Sequence, residues 1–373
     1  MAQDSLETIA QNLLNPAGII LNGPNPWDIQ VKNPNFYSRV LSGGSLALGE
    51  SYMDGWWDCD ALDECIARVI GIKLETKVRN KSLIVWEYFK AKVVNLQSKT
   101  RAFEVGEKHY DLGNDLYTAM LDKRLVYTCG YWKEAATLDE AQEAKLDLVC
   151  RKIGLKPGMK VLDIGCGWGS FAKFAAERYG AHVIGITISK EQAALARERC
   201  KGLPIEIRIQ DYREVTEQFD HIISLGMFEH VGPKNYRTYM EVAARCLKPG
   251  GLFLLHTIGS NDTNKIMDPW IEKYIFPNAF LPSPQHIAQS IEGLFVLEDW
   301  HNFGPYYDTT LLAWFVNFNK HWPELKNRYD ERFYRMWRYY LLSCAGLFRA
   351  RSTQLWQIVF SAKGVPGGYQ SLR

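Results

Sequence analysis

No stretch of this sequence approaches the about 18 apolar residues that a membrane-spanning helix needs, and there is no internal repeat or low-complexity tract. Residues 1–7 place no cationic leader before an apolar run, so we expect no secretory signal peptide. Net charge is also small, because 44 lysines and arginines face 42 aspartates and glutamates, which leaves +2. This balance does not favour nucleic acid as a partner, so attraction to an anionic surface must come from local clusters. We expect a soluble chain, at most peripheral to a membrane.

Paired metal-ligand spacings are lacking too, although the chain has eight cysteines. Cys59 and Cys65, which lie nearest to each other, are too widely spaced for a zinc knuckle. We therefore expect no metal site. Scattered, unpaired cysteines are typical of reduced thiols in a cytoplasmic protein.

The length of 373 residues predicts two domains, and 47% hydrophobic with 23% charged residues is ordinary for a globular protein. Residues 1–95 show no alternation of strands and helices. Their periodicity predicts helices over 5–14 and 82–96, so we expect a small, mainly helical N-terminal domain. The polar stretch within 96–108 is the predicted linker, and 109–373 the predicted catalytic domain.

From about residue 137 the pattern changes to alternating strands and helices, which predicts an α/β fold with a doubly wound, mostly parallel sheet. Two late apolar runs, 295–300 and 355–360, are expected to close the sheet as an antiparallel pair. The aromatic and proline-rich insertion 268–291 is expected to cap a substrate pocket. Ligands of such sheets bind beyond the carboxyl ends of the strands. Predicted strands cover 160–164, 182–188, 205–210, 221–225 and 252–257, and predicted helices 138–153, 170–179, 190–200 and 236–247.

A glycine-rich turn follows the first of these strands. In the segment 161–170, Gly165, Gly167 and Gly169 have the spacing G-x-G-x-G, which lets a ligand lie on the backbone at the start of a helix. A dinucleotide site instead favours G-x-G-x-x-G and an acidic residue after the next strand. Here the next strand ends in the hydroxyls of Thr187 and Ser189. The pattern resembles the S-adenosylmethionine loop of class I methyltransferases; a glycine turn without a ligand is the alternative.

Further motifs along the whole chain resemble bacterial cyclopropane-fatty-acyl-phospholipid synthases. The related mycolic-acid cyclopropane synthases share the catalytic motifs but typically lack a domain like residues 1–95, so the resemblance favours an intact phospholipid as substrate. The motifs are GESYMDGWW (49–57), HYDLGND (109–115), YTCGYW (127–132), QDY (210–212), GMFEHVG (226–232), LLHTIG (254–259), YYDTT (306–310) and CAGLFRAR (344–351).

The resemblance implies S-adenosylmethionine as cofactor. The glycine loop would surround its methionine end, and no acidic residue follows the second strand, so Thr187 and Gln192 would serve the ribose hydroxyls. Asp211 and Tyr212 match the adenine edge, and Tyr127 and Thr128 the methionine portion. The complete implied set is Tyr127, Thr128, Asp163, Gly165, Cys166, Gly167, Trp168, Gly169, Thr187, Ile188, Ser189, Gln192, Asp211 and Tyr212.

The implied reaction moves a sulfonium methyl group onto a cis double bond and leaves a carbocation, which aromatic faces can stabilise. A base must then remove a proton so that the ring closes. In the family this base is thought to be a bound bicarbonate ion, held by residues matching Cys129, Glu229, His256 and Tyr307 and by the backbone at Ile258.

Structural roles compete with these assignments. Glu229 could belong to general methyltransferase scaffolding or a helix cap, and His256 could be a hydrogen-bonded core histidine. Cys344 is a further candidate catalytic residue. It lies in a predicted buried helix over 333–348, where a structural role is the alternative because buried thiols are usually inert.

The implied partners are membrane phospholipids with unsaturated acyl chains, met by peripheral contact at the inner face of the cell membrane. Candidate contact surfaces are the aromatic and cationic run 332–340 and the lysine-flanked helix 81–96, although ordinary packing explains either segment alone. The N-terminal domain is expected to bind lipid or to form a homodimer. Two other functions stay open: methyl transfer to another lipid or a small polar acceptor, and lipid binding without catalysis.

Overall fold

The computed structural model describes residues 2–72, 113–263 and 266–373, and it divides the chain into two compact units. The first unit comprises the described parts of Met1–Val93, with Ile266–Pro277 and Tyr307–Thr353. The second comprises those of Val94–Lys265, with Asn278–Tyr306 and Gln354–Arg373. The predicted helix 82–96, the linker 96–108 and most of the 109–115 motif lie outside the described residues. The domain boundaries at 95 and 109 therefore stay predictions.

The strands and helices of both units are numbered in chain order. The strands are β1 (Gln30–Val31), β2 (Trp57–Asp58), β3 (Lys160–Ile164), β4 (His182–Thr187), β5 (Ile205–Ile209), β6 (Phe219–Leu225), β7 (Leu247–Gly259), β8 (Val296–Asn302) and β9 (Gln354–Ser361). The α-helices are α1 (Ala2–Leu14), α2 (Phe36–Met53), α3 (Leu62–Gly71), α4 (Asn114–Met120), α5 (Leu138–Lys152), α6 (Ser170–Tyr179), α7 (Lys190–Arg199), α8 (Tyr236–Cys246), α9 (Pro269–Tyr274), α10 (Pro284–Ile291), α11 (Pro305–Leu325) and α12 (Glu331–Arg349).

The second unit contains a seven-stranded sheet with the order β5-β4-β3-β6-β7-β9-β8. Strands β3 to β7 are parallel, and β9 pairs antiparallel with both β7 and β8. This arrangement confirms the predicted fold class and the closing antiparallel pair. β7 begins at Leu247 rather than at the predicted residue 252, because Leu247 pairs with Phe219 before the register shifts.

The central strands β3, β4, β6, β7 and β9 are largely buried, as expected where both faces of a sheet are covered. Helix α5 begins at a capping box, in which the Thr137 hydroxyl accepts from Glu140 N–H and the Glu140 carboxylate accepts from Thr137 N–H at 3.0 Å. One core cluster contains residues of α5, α6 and the sheet. A second contains residues of α8, α10 and other positions of the same sheet. Members of these clusters include Leu146, Val149, Phe171 and Phe174 in the first, and Tyr239, Met240, Phe253 and Ile287 in the second.

The first unit is organised around α3, α12 and a cluster of aromatic rings. Trp270 of α9, at the start of the predicted capping insertion, packs its ring 4.6 Å from that of Tyr339 and lies against Gly49. Tyr52 and Trp57 complete the cluster, with ring centres 5.0 Å apart. The capping role of 268–291 is untested and stays a prediction.

Two arginines of the predicted membrane-contact run bond within the first unit instead. Arg335 donates to the carbonyls of Tyr52 at 2.5 Å and Trp57 at 2.8 Å, and to Asp58 at 2.8 Å. Arg338 donates to the carbonyl of Cys59 at 3.0 Å. These two cations join α12 to the β2 region, which favours the packing alternative for them. Among the described residues, no helix has the length and apolar character needed to cross a membrane.

Substitution of Gly346 tests the packing of α12 against α3. A Cβ atom at this position would lie 2.6 Å from the Asp63 carbonyl oxygen and 3.0 Å from the Ala67 nitrogen. In a helix, alanine is more favourable than glycine by up to about 1 kcal/mol, but overpacking of a core costs about 1–3 kcal/mol. We expect Gly346→Ala to lower the free energy of unfolding, measured by urea denaturation. Gly71→Ala in α3, where a Cβ meets no atom of the described residues within 4 Å, is the control and should not destabilise the protein.

Candidate active site

The predicted site residues of the second unit gather where β3 to β7 end. Because these strands are parallel, their carboxyl ends lie at one edge of the sheet. The last residues of these strands and the loops that follow them carry Asp163 to Gly169, Thr187 to Gln192, Asp211 and Tyr212, Glu229, and His256 to Ile258.

The glycine loop is a tight turn held to the neighbouring strand. The amides of Gly165 and Cys166 both donate to the Ile186 carbonyl at 3.0 Å. Gly165 has φ 81°, and a Cβ there would meet Met227 at 2.8 Å; Gly169 has φ 74° and would meet the Cys200 sulfur at 2.9 Å. Only glycine fits both positions, because they combine left-handed backbone with close neighbours. Gly167 also has a positive φ, 52°.

Asp163, the penultimate residue of β3, has a buried carboxylate. Its side chain is 2% exposed, and Oδ2 has no hydrogen-bond partner among the described residues. Burial raises the pKa of Asp163 from its ordinary 3.8 to about 7, although the charge of Lys145 partly opposes this shift. An unsatisfied carboxylate oxygen in such a place is costly and is suited to a ligand that donates a hydrogen bond.

Trp168, also in the glycine loop, connects it to α4. Its indole N–H donates to the Asn114 side-chain oxygen at 3.0 Å, and its ring centre lies 4.8 Å from that of Tyr117. Tyr117 in turn contacts Tyr127 edge-on at 5.2 Å. This chain of aromatic contacts brings the predicted cofactor residues Trp168 and Tyr127 into one cluster.

After β4, two of the residues predicted to hold ribose are neighbours. The Thr187 hydroxyl donates to the Gln192 side-chain oxygen at 3.2 Å, and both residues are buried. Ser189 caps α7 by accepting from Gln192 N–H at 3.2 Å, and Ile188 is half-buried beside it. The cap fixes where α7 begins and thereby places Gln192 beside Thr187.

After β5, Asp211 is buried and bonded by Arg213. Its two carboxylate oxygens accept from the Arg213 guanidinium at 2.7 and 2.6 Å. Tyr212 packs its ring 5.0 Å from that of Tyr239. Asp211 thus has a structural partner already, and any ligand would share its remaining acceptor capacity.

The segment Tyr127–Cys129 lies against α5, through contacts that the sequence analysis missed. The Lys145 ammonium donates to the Thr128 hydroxyl at 2.6 Å, and the Gln142 amide donates to the Thr128 carbonyl at 2.7 Å. Cys129 is fully buried, and its thiol lies 3.2 Å from the Gly130 carbonyl oxygen. Gln142 and Lys145 are recognisable in hindsight, because they are polar residues on the apolar stripe of an amphipathic helix.

Glu229 follows β6 in a short 3-10 turn, Phe228–His230, and is 5% exposed. Its Oε1 accepts from the Ile258 amide at 2.6 Å, while Oε2 is buried without a hydrogen-bond partner among the described residues. Burial raises the pKa of Glu229 from its ordinary 4.5 to about 7, although the Ile258 amide opposes part of that shift. The structure thus joins two predicted catalytic residues, with the Ile258 amide orienting Glu229.

His256, opposite Leu225 in the β6–β7 pairing, is 1% exposed. The Gln357 amide nitrogen lies 3.3 Å from its Nδ1, and Nε2 has no hydrogen-bond partner in the described parts of the chain. If the Gln357 amide nitrogen is the donor in this contact, a neutral ring carries its proton on Nε2. Burial lowers the pKa of His256 well below 6.5, so the ring is neutral and offers one buried N–H donor.

Tyr307 and Cys344 belong to the first unit. The Tyr307 ring stacks on Phe348 at 4.6 Å and meets Trp314 edge-on at 5.9 Å. Cys344 is half-buried in α12, and removal of its thiol from water raises its pKa to about 12. A thiol with this pKa is protonated at neutral pH, so Cys344 is a poor nucleophile. The structure favours its structural alternative.

The shifted pKa of Glu229 predicts a pH-dependent stability difference. Between about pH 4.5 and 7 the folded protein retains a proton that the unfolded chain releases, so this group's contribution to stability falls as pH rises. Glu229→Gln removes the titration and keeps an acceptor for the Ile258 amide. As pH rises from 5 to 8, we expect the free energy of unfolding of the variant to increase relative to that of the parent, by at most about 3 kcal/mol.

Denaturant unfolding at both pH values measures this difference. Glu191→Gln, at an exposed position of α7, is the matched control and should show no such gain. An equal effect of Glu229→Gln at pH 5 and pH 8 would contradict the assigned burial of this carboxyl group.

Comparison with known proteins supports the resemblance seen in the sequence. A family model described as mycolic acid cyclopropane synthetase matches residues 97–358. The chain is 56% identical to the cyclopropane-fatty-acyl-phospholipid synthase of Escherichia coli (strain K12) over 370 residues, which cover 99% of this chain and 97% of that protein.

Solved structures agree. The cyclopropane synthase MmaA2 from Mycobacterium tuberculosis matches with a TM-score of 0.66 at 32% identity, covering 69% of this chain and 97% of that one. The mycolic acid cyclopropane synthase CmaA1, complexed with SAH and CTAB, matches with a TM-score of 0.65 at 31% identity and the same coverage. The predicted resemblance is confirmed: the chain belongs to the mycolic acid cyclopropane synthetase family, within the class I methyltransferases.

Proposed function

We propose that this enzyme transfers a methylene group from S-adenosylmethionine to the cis double bond of unsaturated phospholipid acyl chains and so forms cyclopropane fatty acids. The identity with the Escherichia coli synthase over almost the whole chain supports the substrate class. The SAH complex of CmaA1 supports the cofactor. The observation that carries the proposal is the pair of buried, unsatisfied polar atoms at the sheet edge, Glu229 Oε2 and His256 Nε2.

The residues after β3, β4 and β5 fit S-adenosylmethionine. Asp163 offers a buried, unsatisfied carboxylate oxygen beside a turn whose three glycines have no side chain to block a ligand. The adjacent Thr187 and Gln192 offer a hydroxyl and an amide for the sugar. When bound, the cofactor supplies the electrophilic methyl group. The protein's task is to hold it in line with the double bond, since an alkene is a weak nucleophile.

We also propose that bicarbonate serves as the base, held by Cys129, Glu229, His256, Tyr307 and the backbone at Ile258. The pair that carries the proposal fits this ion, because His256 Nε2–H donates to an oxyanion and Glu229 Oε2 accepts from the ion's own hydroxyl. The Ile258 amide, which donates to Glu229 Oε1, keeps that carboxylate oriented. When bound, the ion would accept the proton released on ring closure.

The substrate implies peripheral contact with a membrane, at the inner face of the cell membrane. The first unit offers exposed apolar side chains for such contact, among them Val316, which is 63% exposed on α11, and Ile9 and Ile20. We also propose that the protein is a homodimer and that residues 1–95 contribute lipid binding or dimer contacts. Exposed apolar residues support either role.

A product assay tests the proposed reaction. The full-length protein is incubated with methyl-labelled S-adenosylmethionine and vesicles of unsaturated phospholipid, and the acyl chains are released and analysed by mass spectrometry. We expect label in cyclopropane rings. Label in a polar product would indicate a different acceptor, and no transfer would indicate lipid binding alone; either result would overturn the proposal.

Glu229→Gln tests the assigned role of this residue within that reaction. Because the variant keeps the fold but loses the carboxylate that orients the base, turnover should fall by about 100-fold or more. Affinity for S-adenosylhomocysteine, measured by calorimetry, should be retained. Equal losses of turnover and affinity would show that Glu229 serves the cofactor site instead, and Glu191→Gln is again the control.

A further inference from the structure

A buried lysine has no role in the proposed mechanism. Lys145, in the middle of α5, is 0% exposed, and the Thr128 hydroxyl, 2.6 Å away, is its one described hydrogen-bond partner. It forms no salt bridge with a described carboxylate, although the charges of Asp122, Asp163 and Cys129 oppose the lowering of its pKa, which burial brings to about 8. Burying an ammonium group is costly, so its position here needs a reason.

The surrounding contacts show what the lysine holds in place. Gln142, one turn earlier on the same helix, donates to the Thr128 carbonyl at 2.7 Å. Helix α5 therefore bonds both the backbone and the side chain of Thr128. On its other side, the methyl group of Thr128 lies against Gly226, where a Cβ would approach it to 2.6 Å. Thr128 is therefore fixed between α5 and the loop that leads from β6 to Glu229.

The backbone just before this segment is strained. Leu125 has φ 58°, which is unfavourable for a residue with a side chain. The Asp122 carboxylate accepts from Val126 N–H at 2.8 Å, and the Ser170 hydroxyl donates to the Leu125 carbonyl at 3.0 Å. Strain of this kind persists only where surrounding contacts over-determine the conformation, and Lys145 and Gln142 supply such contacts.

We infer that Lys145 is a positioning residue: its hydrogen bond to the Thr128 hydroxyl holds the segment Tyr127–Cys129 in the conformation that S-adenosylmethionine binding requires. The inference rests on the proposed function, because the proposed function assigns Tyr127 and Thr128 to the cofactor. Lys145 would act on the cofactor through Thr128, to which it donates its hydrogen bond.

The same helix provides a matched control. Lys152, seven residues further along α5, is also buried, at 1% exposure, but lies 3.1 Å from His301 Nδ1 and 3.7 Å from Asp299. Asp299 also bonds Arg373, and we expect these bonds to remain when Lys152 is replaced. Lys152→Met therefore removes a buried ammonium group from α5 and leaves the contacts of Thr128 unchanged.

The experiment measures binding of S-adenosylhomocysteine to the full-length protein by calorimetry. Variants are Lys145→Met, Thr128→Val, their combination, and Lys152→Met, with unfolding midpoints recorded for each. Loss of one hydrogen bond to a charged group predicts about tenfold weaker binding for Lys145→Met. The double variant should bind no more weakly than the weaker single variant, because both substitutions remove the same bond. Lys152→Met should bind like the parent.

Three results would overturn the inference alone: parental affinity in Lys145→Met, multiplied losses in the double variant, or an equal loss in Lys152→Met. If the parent itself fails to bind S-adenosylhomocysteine, the proposed function falls and this inference with it. If Lys145→Met does not fold, Thr128→Val decides the matter, since it removes the same bond from the other side. Parental affinity in that variant would equally contradict the inference.

Discussion

The candidate site depends on polar groups that are removed from water at one edge of a parallel sheet. Asp163, Glu229 and His256 lie near the carboxyl ends of three neighbouring strands, and each keeps an atom without a hydrogen-bond partner among the described residues. Since an unsatisfied buried group costs free energy, three such groups on neighbouring strands favour a ligand bound at this edge.

The same burial determines the protonation of the site. Glu229 and Asp163 both have pKa values raised to about 7, while the imidazole of His256 is kept neutral. The edge of the sheet is therefore poor in fixed negative charge near neutral pH. A neutral donor and a buried carboxyl group at the same sheet edge are suited to a small anion that carries its own hydroxyl, and a dry surrounding would protect a carbocation from water.

Much of the second unit could be predicted from sequence, because apolar strands alternate with amphipathic helices at spacings that admit few topologies. The predicted strand 160–164 and helix 170–179 have the bounds found in the structure. Glycine spacing located the turn at 165–169 because its left-handed backbone excludes other residues. These positions could be predicted because the residues of each strand, helix or turn determine its local backbone geometry.

Contacts between distant segments could not be predicted in this way. Segments 266–277 and 307–353 join the N-terminal region in one compact unit, although sequence order places them after the fifth strand of the sheet. Arg335 and Arg338 suggested a membrane surface, but their guanidinium groups bond carbonyls near β2. Lys145 is a polar residue on an apolar helix stripe, but helical periodicity does not identify its partner, Thr128, which lies before the helix. Side-chain partners of this kind depend on tertiary packing alone.

The central claim is that the unsatisfied atoms of Glu229 and His256 serve a bound bicarbonate ion. The most direct measurement is the rate of ring formation in carbon dioxide-free buffer, followed by addition of bicarbonate at constant pH and ionic strength. The account predicts that depletion lowers the rate and that added bicarbonate restores it, with chloride having no such effect. A rate that is the same with and without bicarbonate would contradict it.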